Sequence, residues 1–137
     1  MGKISDRELC ELANSARDLS YSPYSNFSVG AALLTKSGRV YLGANIENAS
    51  FTPTVCAERV AFFKAISEGE TEFSKIAVVG ARHGESSCSP TAPCGVCRQV
   101  MAEFCNGKFE ILMPYGEACD KVTLDEILPR RFDKTSL

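Results

Sequence analysis

The chain has 137 residues, of which 45% are hydrophobic and 23% are charged, and its net charge is −2. This length predicts one domain, spanning residues 1–137, with a core that needs no disulfides. The composition excludes a disordered chain, and the slight acidic excess argues against a nucleic acid polymer as partner. The N-terminal residues contain no long apolar segment, so neither a signal peptide nor a membrane anchor is predicted. Seven cysteines without an export signal indicate a cytoplasmic protein, in which cysteines more often bind metal or take part in chemistry than form disulfides.

The first third of the chain predicts a helix and then a hairpin. A Ser-x-x-Glu capping box opens a helix predicted over residues 5–20, with apolar residues at helical spacing. Strands are predicted over 27–35 and 39–47, and Gly38 between them is suited to the positive φ of a tight turn.

The later elements are predicted from apolar spacing and from residues that start or stop helices. They are a helix over about 55–68 capped by Thr54, a buried strand over 73–81, a helix over about 94–105, a strand over 109–114 and a short final helix after Thr123. Helices that alternate with apolar strands predict a single α/β domain.

Three cysteines form the strongest chemical pattern in the sequence. Cys94 and Cys97 lie three residues apart at the start of a predicted helix, so their thiolates share a face and gain from the positive helix N-terminus. Thiolates at this spacing favour zinc. Cys56 starts the other helix that follows a strand and a loop, and it is the predicted third ligand. Three cysteines leave a fourth position for water, as in a catalytic zinc site.

Glu58 and Arg59 follow this cysteine in the sequence CAER. A carboxylate beside such a site can take a proton from the water and return it to a leaving group. Residues i and i+2 of a regular helix point in different directions, so this role requires Cys56 to lie in the first turn. Arg59 is predicted to place its guanidinium against the sulfur of Cys56 and to offset the negative charge of three thiolates.

Other uses of the cysteines stay open on these residues alone. The sequence PCGVC is also similar to a redox pair of the thioredoxin type, and Cys88 would complete a closed four-cysteine site in a structural zinc module. Cys10, Cys105 and Cys119 are predicted to pack as small buried hydrophobes. His83 lies in a predicted loop and is expected to be solvated.

Taken together, CAER at 56–59 and PCGVCRQ at 93–99 resemble the zinc site of the small homotetrameric cytidine deaminases. The resemblance extends from YSPYSNFSVGAAL through NIENASF to the C-terminal LPRRF. It implies a single-domain, three-layer α/β/α fold with a mixed central sheet, in which the three cysteines hold Zn²⁺ and the glutamate moves protons. It also implies a homotetramer with shared active sites, which deaminates cytidine and deoxycytidine in pyrimidine salvage.

The resemblance assigns substrate contacts to five further positions. It implies that Asn45 and Glu47 bind the ribose, and that Phe27 and the main chain of Ala57 contact the base. Phe132 corresponds to an aromatic residue that reaches into the site of a neighbouring subunit. Without the resemblance, Asn45 and Glu47 would be an ordinary turn amide and a solvated carboxylate, and Phe27 would be a core residue.

Three rival functions would each require different features of the chain. A blasticidin-type aminonucleoside deaminase has a similar zinc site but does not need the Asn-x-Glu ribose grip. A polynucleotide-editing deaminase requires a basic groove, which the acidic chain does not indicate. A structural zinc module requires a fourth cysteine ligand. The helix VCAERVAFFKAI is apolar on almost every side, which independently predicts burial against another subunit.

Overall fold

A five-stranded mixed sheet forms the centre of the computed structural model, which describes residues 3–137. The strands are β1 (Phe27–Thr35), β2 (Val40–Ala44), β3 (Phe73–Arg82), β4 (Glu110–Tyr115) and β5 (Ala118–Thr123). Their order in the sheet is β2-β1-β3-β4-β5. Strands β3 and β4 run parallel and every other neighbouring pair is antiparallel, so the predicted mixed sheet is confirmed.

Helices cover both faces of this sheet. They are α1 (Asp6–Ala16), α2 (Ala57–Ser67), α3 (Gly95–Phe104) and α4 (Leu124–Ile127), with 3₁₀ turns at Arg17–Leu19 and Lys134–Ser136. Helix α1 packs on one face and the other three helices pack on the opposite face. The predicted three-layer α/β/α fold is confirmed.

Alternation along the central strands supplies both layers of the core. In β1, Leu33 points towards Phe62 of α2, whereas its neighbour Ala32 points towards Leu9 of α1. All four of these side chains are at most 1% exposed. Successive residues of a strand face opposite sides, so a strand covered on both sides must be apolar throughout. This explains why the central parts of β1 and β3, residues 29–34 and 76–81, are unbroken apolar runs.

Several predicted boundaries move, and the reasons are tertiary. The first helix starts with the predicted capping box but its α-helical part ends at Ala16. Strand β2 ends at Ala44, because Ile46 leaves the ladder and forms single bridges with Tyr21 and Val55 instead. Strand β5 was not predicted: it is a mostly exposed edge strand without apolar alternation. Within residues 3–137, no helix combines the length and the apolarity that a membrane span requires.

The start of the second helix also differs from the prediction. Cys56, not Thr54, is the N-cap of α2. The hydroxyl of Thr54 instead accepts the N–H of Asn48 at 3.1 Å and so holds the preceding loop. This shift places Cys56 at the N-terminal end of α2, where the side chains of Cys56 and Glu58 can both point off the end of the helix.

Helix α2 packs closely on the sheet at Gly43, where the backbone of β2 touches the backbone of the helix. A Cβ atom at Gly43 would lie 2.3 Å from the carbonyl oxygen of Ala57 and 2.7 Å from the amide nitrogen of Ala61. Only glycine permits this contact, because any other side chain would push the first turn of α2 away from β2.

We therefore expect Gly43→Ala to lower the free energy of unfolding by about 1–3 kcal/mol, as overpacking does in other cores. Urea denaturation would measure this loss. Gly95→Ala is the matched control, because the added methyl group at that helical position would meet no heavy atom within 4 Å apart from its chain neighbours and the backbone of its own helix. Equal stability of Gly43→Ala and the control would show that α2 can shift without penalty.

Candidate active site

Three cysteine sulfurs meet where α2 and α3 begin. The Sγ atom of Cys94 lies 3.6 Å from that of Cys56 and 3.6 Å from that of Cys97. All three sulfurs lie within 4.8 Å of one another, and within residues 3–137 they are the only such group of potential metal ligands. A tetrahedral ion with zinc–sulfur bonds of about 2.3 Å would hold its sulfurs about 3.8 Å apart. The spacing therefore fits zinc.

Two helix N-termini point at this cluster. Cys56 is the N-cap of α2 and Cys94 is the N-cap of α3, and neither side chain caps its own helix with a hydrogen bond. The free N–H groups and the partial positive charge of both helix ends therefore face the sulfurs. A hydrogen bond from Cys97 and the guanidinium of Arg59 lower the pKa of Cys56 to about 5. The site therefore favours the thiolate of Cys56, which is the form that binds zinc, whereas the same hydrogen bond and burial raise the pKa of Cys97.

Arg59 supplies the side-chain cation of the cluster. Its Nη2 atom donates to Cys56 Sγ at 3.6 Å. Its Nε atom is buried and has no hydrogen-bond partner among the described residues. The guanidinium thus lies against the sulfur, as the sequence predicts.

Glu58 occupies a dry position beside the thiols. Its side chain is only 3% exposed, although it lies in the first turn of α2. Burial raises the pKa of this carboxyl to about 7, and the negative charge of Cys56 acts in the same direction. A carboxyl in such a place can both donate and accept a proton near neutral pH.

The structure disfavours the alternative uses of the cysteines. Cys88 is exposed and lies outside the cluster, so the described residues provide no fourth cysteine ligand. Cys56 lies as close to Cys94 as Cys97 does, which is unlike an isolated redox pair. The prediction that Cys119 is a buried hydrophobe is wrong, because it is exposed on edge strand β5.

The segment that follows β2 lies next to the cysteines. Ile46 pairs with Val55 in an antiparallel bridge, with backbone hydrogen bonds of 3.0 and 2.9 Å. Because Val55 directly precedes Cys56, this bridge sets Asn45 and Glu47 beside the start of α2. The predicted ribose contacts and the thiol cluster therefore belong to one region.

Asn45 is tied to the first residues of β1. Its Oδ1 atom accepts the N–H of Val29 at 2.9 Å and the hydroxyl of Ser20 at 2.5 Å. Its Nδ2 atom donates to the carbonyl oxygen of Phe27 at 3.0 Å. One N–H of the side chain remains for a ligand, since an amide nitrogen carries two.

Phe27 forms another wall of the same region. Its side chain is 38% exposed. Its ring and the Thr91 hydroxyl both press against Gly80, where an added Cβ would lie 2.8 Å and 2.7 Å from them. Thr91 belongs to the loop that leads into Cys94, so Phe27 lies between the end of β3 and the approach to α3.

The last two predicted contacts differ in their surroundings. Ala57 is fully buried as the first residue of α2, where its N–H has no partner within the helix. Phe132 is 62% exposed, and its carbonyl oxygen accepts the side chain of Gln99 at 2.8 Å. Phe132 thus projects outwards from its own chain.

Two serines without a predicted role touch the predicted ribose residues. Ser20 donates to Asn45, and Ser25 donates to Glu47. Both lie in SYSPYSN, whose composition indicates only a break between helix and strand. The sequence contains no spacing signal that would have identified these contacts.

Known proteins resemble the chain over most of its length. The family model for the cytidine and deoxycytidylate deaminase zinc-binding region matches residues 3–113. A cytidine deaminase of Halalkalibacterium halodurans is 47% identical over 129 residues, which are 93% of this chain and 94% of that protein. A blasticidin-S deaminase of Bacillus cereus is 31% identical over 134 residues, which cover 94% and 93% of the two chains.

A solved structure agrees with both the sequence match and the fold. The cytidine deaminase of Burkholderia pseudomallei superposes with a TM-score of 0.85 at 43% identity, covering 94% of this chain and all of that one. By these similarities, the chain belongs to the family of the cytidine and deoxycytidylate deaminase zinc-binding region.

Proposed function

We propose that this protein hydrolyses the exocyclic amine of cytidine and deoxycytidine, giving uridine or deoxyuridine and ammonia. The observation that carries the proposal is the meeting of three thiols and one buried carboxyl at the start of two helices. The relatives named cytidine deaminases match almost the entire chain and support this substrate. We extend the proposal to a single catalytic domain over residues 1–137 and to a role in pyrimidine salvage in the cytoplasm.

In this proposal Cys56, Cys94 and Cys97 hold the zinc. When bound, zinc lowers the pKa of a water molecule and so supplies a nucleophile at neutral pH. Glu58 would accept the proton that this water loses and deliver it to N3 of the base. It would then accept the proton of the hydroxyl group added at C4 and deliver it to the amine, so that the C4–N bond breaks and ammonia leaves. Because the Glu58 side chain is buried, bulk water is excluded from its carboxyl group and does not compete for the proton.

The remaining contacts orient the nucleoside. Phe27 packs against the base, and the free N–H of Ala57 donates a hydrogen bond to the carbonyl oxygen of the base. One N–H of Asn45 and the carboxylate of Glu47 together offer a donor and an acceptor, which suits one ribose hydroxyl. The 3′ hydroxyl is present in both sugars, so this grip supports the acceptance of both nucleosides.

We further propose a homotetramer whose sites are shared between subunits, with no membrane or nucleic acid polymer as partner. Large hydrophobic side chains remain uncovered in the single chain: Phe51 is 89% exposed, Phe63 of α2 is 49% exposed and Val96 of α3 is 57% exposed. The predicted burial of α2 on all sides is therefore incomplete without another subunit.

The first test is the loss of ultraviolet absorbance of cytidine on adding the purified protein, with zinc measured in the same sample. We expect turnover with about one zinc per chain, and we expect Glu58→Gln to keep the zinc but lose at least about 10²-fold in kcat. Blasticidin S is the comparison substrate, because the Bacillus cereus relative is a blasticidin-S deaminase. Zinc without turnover of cytidine would refute the proposed function.

A second prediction concerns the charge beside Cys56. Three thiolates and one zinc ion sum to a net charge of −1, so removal of the cation in Arg59→Gln should weaken zinc binding by about 10–100-fold. Competition with a chelator would measure the affinity. Arg59→Lys keeps the charge and should retain more of the affinity than Arg59→Gln. Equal zinc affinity in all three proteins would exclude this role.

A third prediction tests the shared site. We expect Phe132→Ala to have low activity, because it removes an aromatic wall from a neighbouring subunit's site. Mixing it with inactive Glu58→Gln, under conditions that exchange subunits, should restore activity, since some sites then combine an intact Glu58 with an intact Phe132. If Phe132 instead served its own chain, mixing would restore nothing beyond the sum of the two.

A further inference from the structure

The carboxylate of Glu47 is already largely occupied by its own chain. Its Oε1 atom accepts the main-chain N–H groups of Tyr24 and Ser25 at 3.0 and 3.1 Å. Its Oε2 atom accepts the hydroxyl of Ser25 at 2.5 Å. A carboxylate offers about four acceptor positions, so about one remains for a substrate.

Ser25 connects this carboxylate to the aromatic wall of the site. Its hydroxyl has a single hydrogen, which it donates to Glu47, and its oxygen accepts the N–H of Phe27 at 3.0 Å. The predicted ribose acceptor and the residue that packs on the base are therefore joined through one side chain. Asn45 makes a second connection, because it donates to the carbonyl oxygen of Phe27.

The terminal torsion of a glutamate is broad, so the carboxylate can rotate unless both oxygens are held. The two main-chain N–H groups hold only Oε1. Within residues 3–137, Oε2 has one hydrogen-bond partner, which is Ser25 Oγ. Without the Ser25 hydroxyl, the Glu47 carboxylate could rotate, and the direction of its remaining acceptor position would not be fixed.

We propose that Ser25 is a positioning residue, which aims the carboxylate of Glu47 at the 3′ hydroxyl of the nucleoside. This inference rests on the proposed function. Ser25 does not take part in proton transfer, so its effect should appear in substrate binding and not in the chemical step.

Steady-state kinetics of Ser25→Ala with cytidine test this role. We expect KM to rise about tenfold, as is typical for the loss of a hydrogen bond to a charged group, and kcat to stay unchanged. Ser25→Thr is the matched control. It keeps the hydroxyl and should restore KM to within about threefold of the original protein, since most of the binding contribution is retained.

The substrate 3′-deoxycytidine separates positioning from a general loosening of the loop. It lacks the hydroxyl that Glu47 binds, so Ser25→Ala should leave its KM unchanged. In a Glu47→Gln background, Ser25→Ala should likewise add little to the rise in KM for cytidine, because both changes act through one contact.

The outcomes distinguish this inference from the proposed function. Suppose that the original protein turns over cytidine. The positioning role is then overturned, and the deaminase function stands, if Ser25→Ala raises KM equally for both nucleosides, lowers only kcat or changes nothing. If the zinc-loaded original protein does not turn over cytidine, both are overturned.

Discussion

Mutual repulsion among three thiolates is the constraint on which the site depends. Sulfurs 3.6 Å apart can all be ionised only where positive charge surrounds them. The protein supplies it from two helix N-termini and from the guanidinium of Arg59, and zinc provides the rest. This explains why α2 and α3 both start at a cysteine. The two helices pack on one face of the sheet, so their N-termini can meet at the same edge of that layer.

The position of α2 determines where the carboxyl of Glu58 lies. Gly43 allows the first turn of α2 to touch β2, and the extended backbone of Cys56 turns the chain into the helix at that point. Glu58 is thereby enclosed and Ala57 is fully buried. A carboxyl in this place is poorly solvated, which favours proton exchange near neutral pH. The contact between Gly43 and the first turn of α2 therefore fixes both the packing of the helix and the environment of the Glu58 carboxyl.

The polar side chains of the proposed ribose site also hold the fold together. Asn45 accepts from Ser20 and Glu47 accepts from Tyr24, so together they hold the segment that precedes β1 and leads into Phe27. Side chains with most of their hydrogen bonds already made are preorganised, so little conformational freedom remains to be lost on binding. The hydrogen bonds already made within the chain also limit recognition. Asn45 keeps one free N–H and Glu47 about one free acceptor position, which together suit a single hydroxyl group.

The sequence by itself determined the α/β class, most helices and strands, and the zinc chemistry, because apolar periodicity and cysteine spacing are local signals. Edge strand β5 escaped prediction because it is mostly exposed and lacks apolar alternation, and the cap of α2 moved because Thr54 bonds to Asn48 instead. Only the tertiary structure decided that Cys56 joins Cys94 and that Ser25 meets Glu47. Those partners are 38 and 22 residues apart, and their meeting depends on how the sheet and loops pack, which no local pattern encodes.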